Sequence, residues 1–458
     1  MAHSPLTYRQ ALERLNRLIN YERHPPRVGG TQAFHLEAFR RFLDTLGAPQ
    51  RRLRIIHIAG TRGKGTTATF LAEALAHRGL RVGLYRSPHV DDLRERIVVD
   101  GRWISRPAFA RLCARVLAAL DRSSLPPSRG KGSGDGGNDR ATLRTYFECL
   151  TATALLHFAE RGVDWAVLET GLGGRLDATN VVDPALTIIT ALGVDHTRIL
   201  GSDPAANARE KAGILKPGVP NLLAPQPRRV PRAAVEAIRS RAREIGSPMI
   251  DVSRRWRAEV VSHSLAGQEL ILRRRRGGCN ELRVRVPHAT LAVAPALETA
   301  WAALDALGLE SDSPHSPEEF GWPLTGRFEV VRRRPPMILD GAHCPLAARK
   351  LTATLQALTR RPLRLCLAMM EDKDQAGFVR ALDLRPGDAV ALPDLGNPRA
   401  LSPEEMSAVV RREVPRCEVR EFRGMRKALR WLRSLRPSGT LVVTGSFYHL
   451  TSARRWLE

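Results

Sequence analysis

Lysine is scarce in this 458-residue chain: Lys64, Lys131, Lys211, Lys216, Lys350, Lys373 and Lys427 stand among 72 basic residues, and arginine carries the rest of the positive charge. A lysine that persists in a ligand-like motif here is a candidate for chemistry a guanidinium cannot do, because a compact amine can lose its proton and react. Cysteine is sparse too. Cys113, Cys149, Cys279, Cys344, Cys366 and Cys417 show neither CxxC nor Cys/His spacing, which argues against a zinc site and a disulfide framework and leaves reduced thiols. No stretch approaches the roughly 20 apolar residues of a membrane span. The start, MAHSPLTYRQALERL, lacks an apolar signal core and a cleavage site, so a soluble, cytoplasmic protein with no membrane partner is expected. Acidic residues are outnumbered 47 to 72, for a formal charge of +25. That excess raises nucleic acid as a partner. Arginine, however, is spread over nearly every helix and loop, without aromatic-basic interleaving or a helix-turn-helix pattern, so no nucleic acid is expected.

What is present is a chain long enough for two or three domains, with 43% hydrophobic residues to fill their cores. Residues 5–47 read as two amphipathic helices joined by a Pro- and Gly-rich linker. From Leu53 an apolar run meets AGTRGKGT and then a helical pattern that ends at Gly79: strand, glycine loop, helix. RVGLY, VDWAVLE and ALTIITAL supply further buried-looking strands between helical stretches, the pattern of a mostly parallel, doubly wound sheet. Residues 122–140, RSSLPPSRGKGSGDGGNDR, form a low-complexity insertion expected to be a disordered loop. A basic, strand-rich stretch (Trp256 to Val286) and an Ala-rich helix (about Leu291 to Leu307) follow. The Pro/Ser/Gly cluster SDSPHSPEEFGWPLTG then suggests a boundary. Beyond it MILDGAH, LRLCLAMM, AVALPDL and TLVVTGS read as four strands of a second domain. The expected fold class is α/β: an N-terminal P-loop-type domain over 1–311 and a smaller, Rossmann-like C-terminal domain over 312–458.

Gly60-Thr61-Arg62-Gly63-Lys64-Gly65-Thr66-Thr67 lies between a strand and a helix, where backbone N–H groups and the helix N-terminus can hold phosphates. Lys64 would neutralise them, and Thr66 or Thr67 would offer a hydroxyl to Mg²⁺. The spacing departs from the general P-loop, because Gly65 intervenes between the lysine and the first threonine. Glu169 ends VDWAVLE, and Asp195-His196 follow ALTIITALGV. Strand ends of an open α/β sheet face its ligand crevice, so Glu169 and His196 could hold a divalent ion together. Lys211, in AREKAGILKPG, is the second lysine placed for chemistry. In the C-terminal domain Arg327 suits a phosphate and Asp340, at the end of MILD, suits a ribose hydroxyl. This domain could then close over a nucleotide held by the first; a buried Arg–Asp pair is the structural alternative.

Together these motifs resemble the folylpolyglutamate synthase and dihydrofolate synthase family, a branch of the Mur ligases. The resemblance runs through HIAGTRGKGTT, GLYRSPHVDDLRERI, VLETGLGGRLDATNVV, VDHTRILG, AREKAGILKPGVP, GRFEVV, ILDGAHCP and TGSFY, in order over most of the chain. It implies an ATP-dependent amide ligase that phosphorylates a carboxylate and lets the α-amine of L-glutamate attack the acyl phosphate. The acceptor would be a folate or dihydropteroate, and the enzyme a monomer. By the same resemblance, ATP binds at Gly60 to Thr67 with Arg327 and Asp340 reaching the nucleotide. Thr66, Ser87, Glu169 and His196 bind Mg²⁺, Lys211 is the carbamylated lysine that helps hold metal, and His343 stands at the interdomain active site with Lys64. Four positions depart from the family pattern: Arg62 and Cys344 each replace an Asn, and Ala289 and Ala292 replace a Gln and an Asn, the last linked to adenine recognition. Since Lys64 and Lys211 are retained, a working ligase with altered nucleotide affinity or base selectivity is expected, in preference to a related ligase on another carboxylate or a silent nucleotide-binding protein.

Overall fold

The computed structural model describes residues 6–21, 35–123, 145–193, 203–275, 281–309 and 318–457. The low-complexity insertion and His196 fall almost wholly or wholly outside these ranges. Eight strands form the first sheet: β1 (Ile55–Ala59), β2 (Val82–Tyr85), β3 (Ile97–Val99), β4 (Arg102–Trp103), β5 (Trp165–Glu169), β6 (Leu186–Ile189), β7 (Asn221–Leu223) and β8 (Met249–Asp251). Their order is β4-β3-β2-β5-β1-β6-β7-β8. The sheet is parallel from β2 to β8, and β3 and β4 add on antiparallel. β1, β5 and β6 are buried along their whole length, which explains why they read as unbroken apolar runs: a parallel strand covered on both faces has no solvent side.

One face carries the helices Tyr8–Asn16, Leu36–Thr45, Arg106–Ser123 and Tyr146–Arg161. The other carries Lys64–Ala76 and Val293–Ala306, and over these lies a small sheet, β9 (Trp256–Ser264), β10 (Gly267–Arg274), β11 (Glu281–Val286) and β12 (Glu318–Glu319). The third sheet, β13 (Glu329–Arg333), β14 (Pro336–Leu339), β15 (Leu363–Leu367), β16 (Ala389–Pro393), β17 (Glu418–Phe422) and β18 (Thr440–Thr444), has the order β13-β14-β18-β15-β16-β17. It is parallel except for β13. The expected boundary at 311/312 lies among residues not described. β12, at the first described residues past it, pairs with β11.

The connection between the units is anchored by hydrogen bonds. The buried Glu73 carboxylate accepts from the N–H groups of Gly321 and Trp322, and Arg86 donates to the carbonyl of Pro323 at 2.9 Å. Glu73 lies on the helix that begins at Lys64, so the start of the C-terminal unit is tied to the element that carries the glycine loop. The five described cysteines are buried free thiols, and among the described residues no helix is long and apolar enough to cross a membrane.

Candidate active site

β1 delivers the chain to Gly60 at the centre of the sheet. There φ is +146°, and a Cβ would stand 2.0 Å from Oγ1 of Thr190, so only glycine fits. The N–H groups of Thr61 and Arg62 both donate to the carbonyl of Ala191, at 3.0 Å each. This ties the loop to the segment after β6 and turns it over the sheet's C-terminal edge. Gly63 caps the helix Lys64–Ala76 from a left-handed conformation. Half-buried Lys64 donates from Nζ to the carbonyl of Gly60 at 3.1 Å, which folds its ammonium over the loop. Thr61 to Thr66 line a cleft of about 1540 Å³ that both units enclose. Thr66 lies on the cleft and Thr67 does not, so the geometry separates the two hydroxyls that spacing left open.

The extra glycine has a spatial reason. A Cβ on Gly65 would lie 3.0 Å from Oε2 of Glu169 and 3.0 Å from Nη2 of Arg327. A carboxylate from the end of β5 and a guanidinium from the C-terminal unit therefore converge on the first turn of the phosphate-loop helix. Glu169 is buried and accepts from the Ser87 N–H at 2.9 Å. Burial pushes its carboxyl above the usual range, opposed by Lys64, Arg327, the Ser87 N–H and Arg86. Burial lowers Arg327, with Glu169 and Asp340 working the other way, and its guanidinium lies 5.0 Å over the ring of Phe447.

Asp340 accepts from the N–H of Phe328 at 2.7 Å and of Ala342 at 2.8 Å. His343 bonds from Nδ1 to the carbonyl of Gly341 at 2.8 Å, and its Nε2 faces Nη1 of Arg62 at 3.2 Å. A ring that donates from Nδ1 keeps a lone pair on Nε2, so Arg62 donates to a neutral imidazole across the cleft. Arg62 thus takes part in an interdomain contact.

Burial lifts the Asp340 carboxyl from 3.8 to about 6, against the two N–H donors and Arg327. Its folded value exceeds the unfolded one, so this group makes the fold less stable as pH rises from 3.8 to about 6. Function runs the opposite way if the anion holds the nucleotide: the KM for nucleotide should rise as pH falls below about 6. Initial-rate measurements across that range should find the limb flattened in Asp340→Asn.

GLGGRLDATN and AREKAGILKPG, far apart in the chain, are locked together. The Arg175 N–H donates to the carbonyl of Glu210 at 2.8 Å. Nδ2 of Asn180 donates to the carbonyls of Arg175 and Gly213 at 3.0 Å each, and Lys216 donates to its Oδ1 at 3.0 Å. Lys211 is buried on the helix Pro204–Ala212, and its Nζ is 3.4 Å from the carbonyl of Asn207. Glu210, not Lys211, lines the cleft. The structure therefore brings together Lys64, Thr66, Ser87, Glu169, Arg327, Asp340 and His343, leaves Lys211 beneath the wall, and does not describe His196.

Residue-by-residue reading missed a buried chain below this floor. His57, in the middle of β1, meets Oγ1 of Thr179 at 2.7 Å, and that hydroxyl donates to Oδ1 of Asp177 at 2.5 Å. Asp177 also accepts from the N–H groups of Thr179 and Leu172. Burial, with a smaller effect of Lys216, pushes His57 down to about 3, so the ring stays neutral and donates from Nε2. A lone polar residue inside IIHIA was the available signal.

The departures at 289, 292 and 344 separate in space. Ala289 is buried among the core residues of the C-terminal unit, whereas Ala292 lines the cleft. Cys344 is the N-cap of the helix Pro345–Leu358 and makes no side-chain cap bond. Cys344→Asn should supply that bond and stabilise the protein by about 1 kcal/mol, read as a higher urea midpoint with an unchanged m-value.

A strand-loop-helix phosphate site closed by an arginine and a strand-end aspartate of a second α/β unit defines an ATP-dependent ligase of the Mur type. Residues 326–447 match the model of the Mur ligase, glutamate ligase domain. The folylpolyglutamate synthase of Lacticaseibacillus casei is 30% identical over 425 residues, covering 91% of this chain and 92% of the relative. The solved structure of E. coli FolC in complex with DHPP and ADP superposes with a TM-score of 0.78 at 28% identity, covering 99% of this chain and 98% of that one. A bifunctional folylpolyglutamate synthase/dihydrofolate synthase with Mn, AMPPNP and L-glutamate bound gives a TM-score of 0.75 at 29% identity, covering 99% and 98%. The chain belongs to the folylpolyglutamate synthase/dihydrofolate synthase family.

Proposed function

We propose that this protein, a monomeric cytoplasmic enzyme, uses ATP and Mg²⁺ to join L-glutamate to the carboxylate of a reduced folate or of dihydropteroate. A carboxylate has no good leaving group, so the γ-phosphoryl of ATP is transferred to it first. The α-amine of glutamate then attacks the acyl carbon, the amine loses a proton, and inorganic phosphate leaves from the tetrahedral intermediate. Such transfers depend mainly on positioning and charge neutralisation. The observation that carries the reading is the convergence of Lys64, Glu169 and Arg327 on the first turn of the phosphate-loop helix, with groups from both units.

Lys64 and the loop N–H groups hold the phosphates, Arg327 and Asp340 reach the nucleotide from the C-terminal unit, and neutral His343 sits where the units meet. Thr66, Ser87 and Glu169 all line the cleft. They form an all-oxygen donor set that fits a hard divalent cation. In this reading His196 adds a nitrogen ligand, carbamylation of Lys211 would extend a carboxylate toward the set from beneath the wall, and a bound ion would supply charge neutralisation at the phosphates. On the β5 side of the cleft, Phe147, Leu172, Asp177 and Ala178 offer an apolar wall with one carboxylate to the flat body of the acceptor. His57 and Thr179 fix the orientation of that carboxylate.

The test is ATP- and Mg²⁺-dependent incorporation of labelled glutamate, with dihydropteroate and tetrahydrofolate in parallel reactions. Product from tetrahydrofolate alone marks a polyglutamylating enzyme, and product from both a bifunctional one. Nucleotide binding without product from either would defeat the reading.

A further inference from the structure

A half-buried cation lines the cleft with no partner among the described residues. Lys350 lies on the helix Pro345–Leu358, and its side chain faces the cleft together with Leu346 and Ala347. Among the described residues its ammonium has neither a hydrogen bond nor a carboxylate partner. The charged group that acts on it is Arg62, of the same sign; burial first, and Arg62 second, lower its pKa. In a chain with so few lysines, a partly desolvated ammonium on the wall of a ligand cleft is a donor that a bound ligand can take over from water.

Its position is fixed by hydrogen bonds. Oγ1 of Thr354 donates to the carbonyl of Lys350 at 2.8 Å and accepts from the N–H of Leu291 at 3.4 Å. This turn of helix is thereby docked on the segment whose Thr290 and Ala292 line the same cleft. One turn earlier, Leu346 reaches the corner of the phosphate loop: its Cδ2 and Cγ2 of Thr61 stand 3.4 and 3.6 Å from where a Cβ of Gly193 would be. Thr290, Ala292, Leu346, Ala347 and Lys350 therefore form a wall on the β6 side of the loop, opposite the aromatic and acidic wall on the β5 side. The apolar groups suit the flat faces of a purine, and the amine suits an acceptor on its edge.

We propose that this wall takes the base of a nucleotide held at Lys64 by its phosphates, and that Lys350 is a specificity-determining residue that reads the edge of that base and lets the site take a 6-oxopurine beside adenine. The inference rests on the cleft being the nucleotide site of the ligase. An ammonium donates and cannot accept. Guanine and hypoxanthine present O6 and N7 as neighbouring acceptors, whereas adenine places an amino donor beside N7. The same amine therefore meets two acceptors in one case and an acceptor next to a competing donor in the other.

The experiment is steady-state glutamate ligation with ATP, ITP and GTP as alternative phosphoryl donors, in the unmodified protein, Lys350→Met and Lys350→Arg, with a melting curve for each. ITP isolates the O6/N7 edge because it lacks the 2-amino group. For the unmodified protein, kcat/KM with ITP and GTP should come within about tenfold of the ATP value or exceed it. Lys350→Met should lower the ITP and GTP values by about tenfold while ATP changes much less, and Lys350→Arg, which keeps donors at that place, should hold the ITP-to-ATP ratio closer to the original. An unchanged ratio in a folded Lys350→Met protein would overturn the proposal. An equal loss with all three nucleotides, accompanied by weaker inhibition by tripolyphosphate, would make Lys350 a phosphate-neutralising group and overturn it too. Failure of every nucleotide to bind would instead defeat the ligase reading beneath it.

Discussion

Lys64→Met is expected to lower kcat/KM for ATP by about 10³-fold, close to 4 kcal/mol of transition-state stabilisation. The size follows from what the ammonium does at once. It is folded over the loop by its bond to Gly60, so its charge is preorganised at the phosphates. It is also the first of the groups that oppose the burial of Glu169. Removing it weakens the phosphate site and leaves a buried carboxylate with less compensation, so Glu169 should take up a proton at higher pH in the variant. Lys64→Arg keeps the charge but cannot repeat the short reach to the Gly60 carbonyl, and should recover only part of the loss. A Lys64→Met protein that retained full ligation at saturating and subsaturating ATP would show that the loop is a structural turn.

The second large effect is expected for Glu169→Gln, about 10²-fold or more in kcat together with a weaker dependence on Mg²⁺. The amide can still accept from the Ser87 N–H, so the local fold at Ser87 should stand. What disappears is the negative charge among Lys64, Arg86 and Arg327. Isothermal titration with ATP, with and without Mg²⁺, separates the roles. If Glu169 holds the ion, the difference between the two titrations should shrink in the variant. If it only neutralises the surrounding cations, ATP should bind more tightly without Mg²⁺, and the metal dependence of turnover should be untouched. Because Lys64 and Glu169 act on each other, the double variant should lose less than the product of the two single losses.

Much of this was legible because strands buried on both faces leave a plain signal. Of the six strands in the C-terminal sheet, β14, β15, β16 and β18 stand out in the sequence as apolar runs; all four are internal. The two that do not, β13 and β17, are its edges. They read EVVRR and EVREF, since an edge strand with a solvent side carries charge that masks its period and discourages further pairing. The site followed the same logic. Glycine loop and strand-end carboxylates are local features, and Gly60 to Thr67, Glu169 and Asp340 could be named from order along the chain. Arg62 could not be given its contact with His343, nor Gly65 its place under two opposing charges, because both depend on how the two units meet. The His57–Thr179–Asp177 chain lay hidden for a related reason: its members are 122 residues apart at the first link. Lys350 drew notice only as one of seven lysines, since its place on the cleft wall beside Leu346 depends on how the two units meet.

The tether at the start of the C-terminal unit bears on how this protein comes apart. Glu73, Arg86 and the Glu169–Arg327 approach place buried charges and backbone donors of one unit in the keeping of the other. If the C-terminal unit melted first, Glu73 would lose its donors and Glu169 would lose a balancing cation. Such losses make the half-melted state expensive relative to both ends of the transition. Three sheets and two units thus behave as one cooperative block, with the ligand cleft as the seam along which that cooperativity is enforced.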